Sequence, residues 1–107
     1  MKLSGIEINL VRVNYVGRLV RAIKNPLRQR ILNLIEVAGS ENVTTIYKTL
    51  GLQQSLASQH LAILRNAKVV TAVRTGKEVR YSIDLDTANL IDALTILVLA
   101  HQKRPTN

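Results

Sequence analysis

The chain has 107 residues, which is the size of one small domain. Its formal net charge of +8 at pH 7 favours a polyanionic partner. Cysteine is absent, which excludes disulfides, thiolate metal sites and thiol redox sensing within the chain, and aromatic residues make up only 3%, so we expect a core of Leu, Ile and Val.

Nucleic acid is the partner that this basic composition favours most. The alternatives are a basic surface that is only solvated and a protein that lies on a membrane surface. A membrane-surface helix needs basic residues massed on one polar face, whereas here they are dispersed along the chain. The longest apolar run, residues 93–100, is interrupted by Thr95 and is too short to cross a bilayer, which takes about 20 residues. We therefore expect no membrane partner and, because no signal peptide is recognisable, a cytoplasmic location.

The first nine residues fit two patterns. Ile6, Ile8 and Leu10 alternate as in a strand, while Leu3, Ile6 and Leu10 also fit a helical stripe that continues to Val13. We expect an irregular start that leads into a helix from about residue 11.

A second helix is predicted over residues 26–38. Asn25 suits its N-cap, and Pro26 suits the first helical position because a missing N–H loses no partner there. Gly39 is the expected C-terminal stop, and residues 40–42 are predicted as a turn.

Residues 43–67 are predicted as two short helices that are broken at Gly51, which permits the positive φ of a tight turn. The first covers residues 43–50, with Asn42 or Thr44 as its N-cap. The second, over residues 54–67, has an apolar face for the core, formed by Ala57, Leu61 and Leu64. Another face is small, uncharged and able to donate and accept hydrogen bonds, and it consists of Ser55, Ser58, Gln59 and Ala62. Such a face suits the DNA major groove, where base edges present donors and acceptors.

Residues 69–73 and 79–83 are predicted as the strands of a basic β-hairpin whose tip, residues 74–78, contains Gly76. A basic ribbon beside a recognition helix can follow a phosphate backbone. Asp86 is the expected cap of a last helix over residues 87–103, which is apolar almost all round. Because such a helix is buried on more than one side, we expect a partner chain against it.

These elements predict a mainly α protein with a small β-hairpin. The chain is interpreted as one winged helix-turn-helix domain over residues 1–107, with the helix-turn-helix at 43–67 and the wing at 69–83. Helical segments are added at its two ends, over residues 1–24 and 87–103.

Several sequence blocks also resemble the ArsR/SmtB transcriptional repressors over roughly residues 18–84. They are Asn25-Pro-Leu-Arg-Gln-Arg-Ile-Leu, Leu50-Gly-Leu, Ser55-Leu-Ala-Ser-Gln-His-Leu-Ala-Ile-Leu-Arg, Val69-Val70, Arg74-Thr-Gly-Lys and Arg80-Tyr-Ser-Ile. The Ser-x-x-Ser-x-His-Leu-x-x-Leu-Arg segment is the most specific of them. The resemblance implies a homodimeric regulator that binds an inverted repeat in double-stranded DNA, with its end helices at the dimer interface.

The sequence departs from this family where metal ligands are common. The stretch at residues 43–50 has no Cys-x-Cys pattern, and the other family ligand positions align with Leu85, Thr87, Val98 and His101. One imidazole does not make a metal site, so we expect no metal and no cofactor. A shifted site that uses Asp84 or Asp86 with His101 stays an alternative, and the effector is unknown. The resemblance also puts Lys68 where glycine is common; if Lys68 is left-handed there, the conformation costs about 1 kcal/mol.

Twelve residues are candidate DNA contacts. They are Thr44, Thr45, Lys48, Gln54, Ser55, Ser58, Gln59, His60, Arg65, Arg74, Lys77 and Arg80. Ser55, Ser58 and Gln59 are predicted to read bases, and the wing cations to contact phosphates; His60 is as well explained by packing. The ring of Tyr81 is expected to pack under the wing.

No catalytic constellation is present, since the two histidines lie on different predicted helices and no nucleophile motif or glycine-rich phosphate loop occurs. We therefore predict no enzymatic activity. The rival hypothesis is a winged-helix protein-interaction module that has lost specific DNA binding. An apolar patch around Leu56 and Ile63 would favour that rival.

Overall fold

The computed structural model describes residues 1–105. Its elements, in chain order, are β1 (Lys2–Leu3), β2 (Ile6–Glu7), α1 (Leu10–Lys24), α2 (Pro26–Ala38), β3 (Glu41–Asn42), α3 (Val43–Leu50), α4 (Gln54–Asn66), β4 (Val70–Thr75), β5 (Glu78–Ile83) and α5 (Leu85–Gln102). The predicted class, mainly helical with a small β-hairpin, is confirmed.

Four of the five helices begin at a side chain that caps their free N–H groups. Asn25 accepts hydrogen bonds from the backbone N–H groups of Leu27 and Arg28 at 2.9 and 3.1 Å, and Pro26 occupies the first helical position. Asn42, rather than Thr44, caps α3 through the N–H of Thr45 at 2.8 Å. These caps fix the start of α2 and α3 at the predicted residues.

The core is aliphatic and draws on all of the first four helices. Its buried members are Leu19, Ala22, Ile31, Ile35, Ile46, Leu61, Leu64, Val69 and Val70. Tyr81 is half-buried and packs against this cluster from β5, as expected for a ring under the wing. The core thus packs against the buried face of α4 and against the start of β4.

The wing is a three-stranded antiparallel sheet with the order β3-β5-β4. β4 and β5 pair from Val70↔Ile83 to Thr75↔Glu78, so the tip contains only Gly76 and Lys77, and Gly76 has φ +64°. The prediction of a turn over residues 40–42 was wrong for β3, which pairs with Arg80 and Tyr81 of β5. Two residues are too few to show the alternation by which strands are recognised.

The chain begins with a hairpin, not with the irregular segment that was expected. β1 and β2 pair as Lys2↔Glu7 and Leu3↔Ile6 around a turn in which Ser4 and Gly5 have φ of +49° and +83°. The terminal amine lies 3.0 Å from the Glu7 carboxylate. Of the predicted dimerisation segment 1–24, only the part from Leu10 onwards is helical.

The last helix starts two residues earlier than predicted. Asp84 rather than Asp86 is its cap, and its carboxylate accepts a hydrogen bond from the N–H of Thr87 at 2.9 Å. Thr87 is the one buried residue of α5, and large apolar side chains in its second half are about half exposed or more: Ile96, Leu97, Val98 and Leu99. Within residues 1–105 no helix is long and apolar enough to cross a membrane.

Candidate nucleic-acid interface

The two faces of α4 are separated as the sequence predicts. Ala57, Leu61 and Leu64 are each 0% exposed and anchor the helix on the core. The polar face is exposed, and so are the flanking candidates; these residues are Gln54, Ser55, Ser58, Gln59, Ala62 and Arg65. The exposed face therefore offers hydroxyl and amide groups on a helix whose opposite side cannot shift without disturbing the core.

The turn before α4 sets its direction. Gly51 closes α3 in the left-handed conformation, with φ +68°, and its N–H lies 3.3 Å from the Lys48 carbonyl oxygen. The N–H of Leu52 donates to the carbonyl of Tyr47 at 2.8 Å. This closing pattern satisfies the last carbonyls of α3 and turns the chain sharply into α4.

The wing tip lies beside the start of α3. Thr44, Thr45 and Lys77 line one cleft of about 560 Å³ between the two elements, together with Glu78. Thr44, Lys48, Arg74 and Lys77 are exposed, whereas Thr45 is half-buried. The structure therefore brings the predicted threonines and a predicted wing lysine to one place, at the end of the surface where α3 begins.

Arg80 is placed differently from the other wing cations. Its Nε donates to the Ser40 hydroxyl at 3.0 Å and its Nη2 donates to the Ser40 carbonyl at 2.9 Å. Glu78 and Glu41 lie within 3.5 and 4.0 Å of the same guanidinium. Because its donors and charge are engaged inside the wing, Arg80 holds β3 and β5 together and is not a free cation of the wing surface.

His60 is half-buried on α4, between the exposed stripe and the core. Its Nδ1 is buried and has no hydrogen-bond partner among residues 1–105. Burial lowers the pKa of this imidazole, and the nearby charge of Arg28 lowers it further. The placement agrees with the packing explanation of His60 rather than with that of an exposed base-reading side chain.

A second cleft, of about 310 Å³, lies among α1, α2 and the C-terminal half of α4. Arg18, Arg21 and Arg28 line it, together with Ile63 and Asn66 of α4. The sequence reasoning did not include these arginines in the candidate site. The signal that could have found them is the absence of any acidic residue from residue 8 to residue 35, a segment that contains six Lys or Arg.

The residues at the family's metal-ligand positions do not form a site in one protomer. No group of three His, Asp or Glu side chains within residues 1–105 is arranged to hold a metal ion. Asp86 and His101 lie in the first and last turns of α5, about 22 Å apart along its axis at the usual helical rise. The alternative site that combines Asp84 or Asp86 with His101 of the same chain is therefore too extended.

Leu56 and Ile63 are exposed on the flank of α4, to 37% and 42%. Ile63, however, lines the cleft that contains Arg18, Arg21 and Arg28. The surface there is mixed and basic, in contrast to the depletion of charge that is typical of the centre of a protein–protein interface.

Comparison with known proteins gives the family. The model of the bacterial regulatory proteins of the arsR family matches residues 25–72, which include α2, the helix-turn-helix and the start of β4. The transcriptional repressor PagR of Bacillus anthracis is 39% identical over 68 residues, which is 64% of this chain and 68% of PagR. The transcriptional regulator CmtR of Mycobacterium bovis is 35% identical over 91 residues, covering 84% of this chain and 76% of CmtR.

Solved structures agree with the fold. The crystal structure of PagR has a TM-score of 0.67 at 32% identity and matches 80% of this chain and 99% of that chain. The domain Mb0332 of Mycobacterium bovis, described as a homodimeric winged helix-turn-helix DNA-binding domain, has a TM-score of 0.73 at 24% identity, with 99% of this chain and 98% of that chain covered. The prediction of a winged helix-turn-helix transcriptional regulator is confirmed. The chain belongs to the ArsR family of bacterial regulatory proteins.

Proposed function

We propose that this protein is a homodimeric transcriptional repressor that binds an inverted-repeat operator in double-stranded DNA. The observation that carries the proposal is the exposed, uncharged stripe of α4, which has a fully buried apolar stripe behind it. No acidic residue occurs between Asn42 and Lys77, so α3, α4 and the two tip residues Gly76 and Lys77 present only neutral and basic side chains. The next residue, Glu78, is paired with Arg80 at 3.5 Å. The likeness to the repressor PagR supports repression as the regulatory outcome.

Within this proposal, Ser55, Ser58 and Gln59 read base edges in the major groove, because their side chains both donate and accept hydrogen bonds. Lys48 of α3 and Arg74 and Lys77 of the wing contact phosphates. Gln54, Arg65 and the two threonines at the start of α3 contribute at the edges of the same surface. Arg80 has no DNA contact in the proposal, since its guanidinium is held by Ser40 and two carboxylates.

The dimer follows from the exposed apolar surface of α5. A second copy packed against that face would bury the side chains that one protomer leaves exposed, and would set two copies of α4 on one side of the DNA. Dimeric helix-turn-helix proteins read two half-sites that lie about 34–36 Å apart, one turn of the double helix. An inverted repeat is the operator that matches such two-fold symmetry.

We infer regulation without metal, because the family's common ligand positions hold residues such as Leu85 and Val98, which have no ligand atoms in their side chains. We also infer that the protein acts by binding rather than by catalysis, as regulators of this family do, and that it works in the cytoplasm, where bacterial DNA is. Titration with zinc and nickel should leave the affinity for the operator unchanged.

The proposal is tested by fluorescence anisotropy with fragments of the protein's own promoter region and with random DNA. Gln59→Ala should reduce the difference in binding free energy between operator and random DNA by about 1–3 kcal/mol, which is the usual contribution of a good pair between a side-chain amide and adenine. Lys77→Ala should weaken both alike and make the salt dependence less steep by about 0.9 per lost phosphate contact.

Two results would contradict the proposal. If the wild-type protein binds no native fragment better than random DNA, specific regulation is excluded and the protein-interaction module becomes the better explanation. If Gln59→Ala and Lys77→Ala have the same effect on specificity and on the salt dependence, α4 does not read the sequence. Gln29→Ala is the control for Gln59→Ala, since Gln29 is an exposed helical glutamine on α2 that lines neither of the two clefts. Its amide donates to the Ile23 carbonyl at 2.9 Å, so the fold of this variant is verified by circular dichroism.

A further inference from the structure

The cleft among α1, α2 and α4 concentrates positive charge that nothing in the described chain neutralises. Arg18 and Arg21 come from one face of α1, one turn apart, and Arg28 comes from the first turn of α2. Among residues 1–105, the ion pairs within 4.0 Å involve only the terminal amine, Lys2 and Arg80 as cations. The three arginines therefore line a cleft of about 310 Å³ without a carboxylate. The guanidinium carbon of Arg18 also lies 5.9 Å from the centre of the Tyr15 ring, a contact that leaves its positive charge in place.

This arrangement lowers the stability of the fold, compared with one in which the arginines stood at other positions. Like charges one helical turn apart repel each other, as Arg18 and Arg21 do. Arg28 adds its charge to the positive end of the α2 dipole, where an acidic side chain would be favourable. Its Nε is also buried without a hydrogen-bond partner in the described chain. An anion in the cleft would offset the repulsion and the unfavourable dipole interaction.

The cleft continues the exposed face of α4. Gln59, Ile63 and Asn66 follow one another at spacings of four and three residues, so they lie on adjoining parts of one side of the helix. Ile63 and Asn66 line the cleft, while Gln59 belongs to the exposed stripe. A groove that receives α4 would therefore bring a sugar-phosphate strand past the C-terminal end of this stripe. The wing tip lies elsewhere, beside the start of α3.

We propose that Arg18, Arg21 and Arg28 form a phosphate-binding cleft that takes a backbone phosphate of bound DNA at the C-terminal end of α4. The proposal rests on the proposed function and extends its contact surface from α3, α4 and the wing to α1 and the first turn of α2. Arginine suits the role because its planar donor fork matches two phosphate oxygens at once. The contact carries no sequence information and sets the register of α4 in the groove.

The test compares two double variants that remove the same charge. Arg18→Gln/Arg21→Gln changes the cleft, and both side chains are exposed, so the core stays intact. Arg12→Gln/Arg30→Gln is the control, since these exposed arginines of α1 and α2 do not line the cleft. The affinities of the dimer for operator and for random DNA are measured across a series of salt concentrations, with circular dichroism to verify the fold.

The cleft variant should flatten the dependence of log K on log salt by about 2 relative to the control, since each lost phosphate contact removes about 0.9 and a dimer has two clefts. The loss should be equal on operator and random DNA. The variant Arg18→Lys/Arg21→Lys keeps the charges and should keep most of the salt dependence. Equal slopes for the cleft variant and the control would overturn the cleft as a DNA contact.

A second experiment distinguishes a cleft that binds the phosphates of the DNA backbone from one that binds free phosphate. The thermal midpoint of the DNA-free protein is measured in inorganic phosphate and in chloride at equal ionic strength. A rise in phosphate that the cleft variant loses, together with unchanged salt slopes on DNA, would mean that the cleft takes a free anion and would overturn the proposal. Because the slopes are also measured on random DNA, the cleft is tested even if wild-type protein fails to prefer any operator, which would refute only the proposed function.

Discussion

Substitution of Leu97 by alanine should weaken the dimer strongly. Leu97 is not among the residues that line the cavity between α1 and α5, such as Ile91, Leu94 and Val98, and 66% of its surface is exposed in one protomer. Full burial of a leucine side chain is worth about 1.5–3 kcal/mol, so covering the exposed two thirds contributes about 1–2 kcal/mol. A two-fold interface contains the residue twice, which gives about 2–4 kcal/mol, or a rise of about 30- to 700-fold in the dissociation constant.

The measurement is sedimentation equilibrium over a dilution series, with Val37→Ala as the matched control. Val37 is 89% exposed near the end of α2, and its truncation removes a comparable apolar surface outside α5. Alanine is favourable in a helix, so neither change should unfold its helix. If Leu97→Ala dimerises as tightly as Val37→Ala, the outward face of α5 is not the dimer interface. The structure would then no longer support the proposal that dimerisation through α5 places two copies of α4 symmetrically on the DNA.

Two further substitutions test local features of the fold. Lys68 has φ +62°, so Lys68→Gly should raise the free energy of unfolding by about 0.5–1 kcal/mol. The gain is smaller than the full left-handed penalty because glycine also gains entropy in the unfolded chain. The measurement is denaturant titration at fixed protein concentration, in which Lys68→Ala should show no such gain. The lowered pKa of His60 means that the unfolded chain takes up its proton near pH 6.5 while the folded chain resists it, so stability falls as pH drops below about 6.5. His60→Gln should reduce the loss of stability between pH 7.5 and 5.5, and an unchanged loss would show that His60 does not cause it.

The helices were predictable because several local signals agreed. For α2, the cap at Asn25, the proline after it and Gly39 at its end all mark the observed bounds. For α4, the spacing of Ala57, Leu61 and Leu64 identified the buried side, and with it the exposed side. The resemblance marks Lys68 as a position where glycine is common, and Lys68 is left-handed in the structure. Where cap, periodicity and stop coincide, local sequence determines local structure.

The short strands were not predictable in the same way. β1, β2 and β3 have two residues each, and their pairing partners decide whether they are strands at all. The local sequence predicts a turn at Glu41 and Asn42, because nothing near them in the chain indicates that β5 passes beside them. The start of α5 was misplaced since Asp84 and Asp86 are both good caps, and the choice between them depends on where β5 ends.

The candidate site shows the same division between local and tertiary information. The exposed stripe of α4 follows from helical spacing alone, whereas Arg80 looked like the other wing cations until its neighbours in space were known. Ser40 and Glu41, about 40 positions earlier in the chain, hold its guanidinium beside β3. A charged residue opposite an edge strand can stabilise the sheet rather than bind a partner, and only the pairing of the strands shows which of the two it does.

Charge segregation links these observations to function. All seven acidic residues lie outside two long segments, residues 8–35 and 42–77. Those segments contain α1, α3 and α4, about three-quarters of α2, and β4 with the tip of the wing. Acidic side chains there would stabilise the fold, for instance at the start of α2 or beside Arg18 and Arg21, so their absence is costly to the isolated protein. A polyanion that contacts both segments would offset this destabilisation when it binds. The arginine cleft joins the two segments at α4. Its substitution should therefore make DNA binding less dependent on salt without lowering the stability of the free protein, because it also removes the repulsion between Arg18 and Arg21.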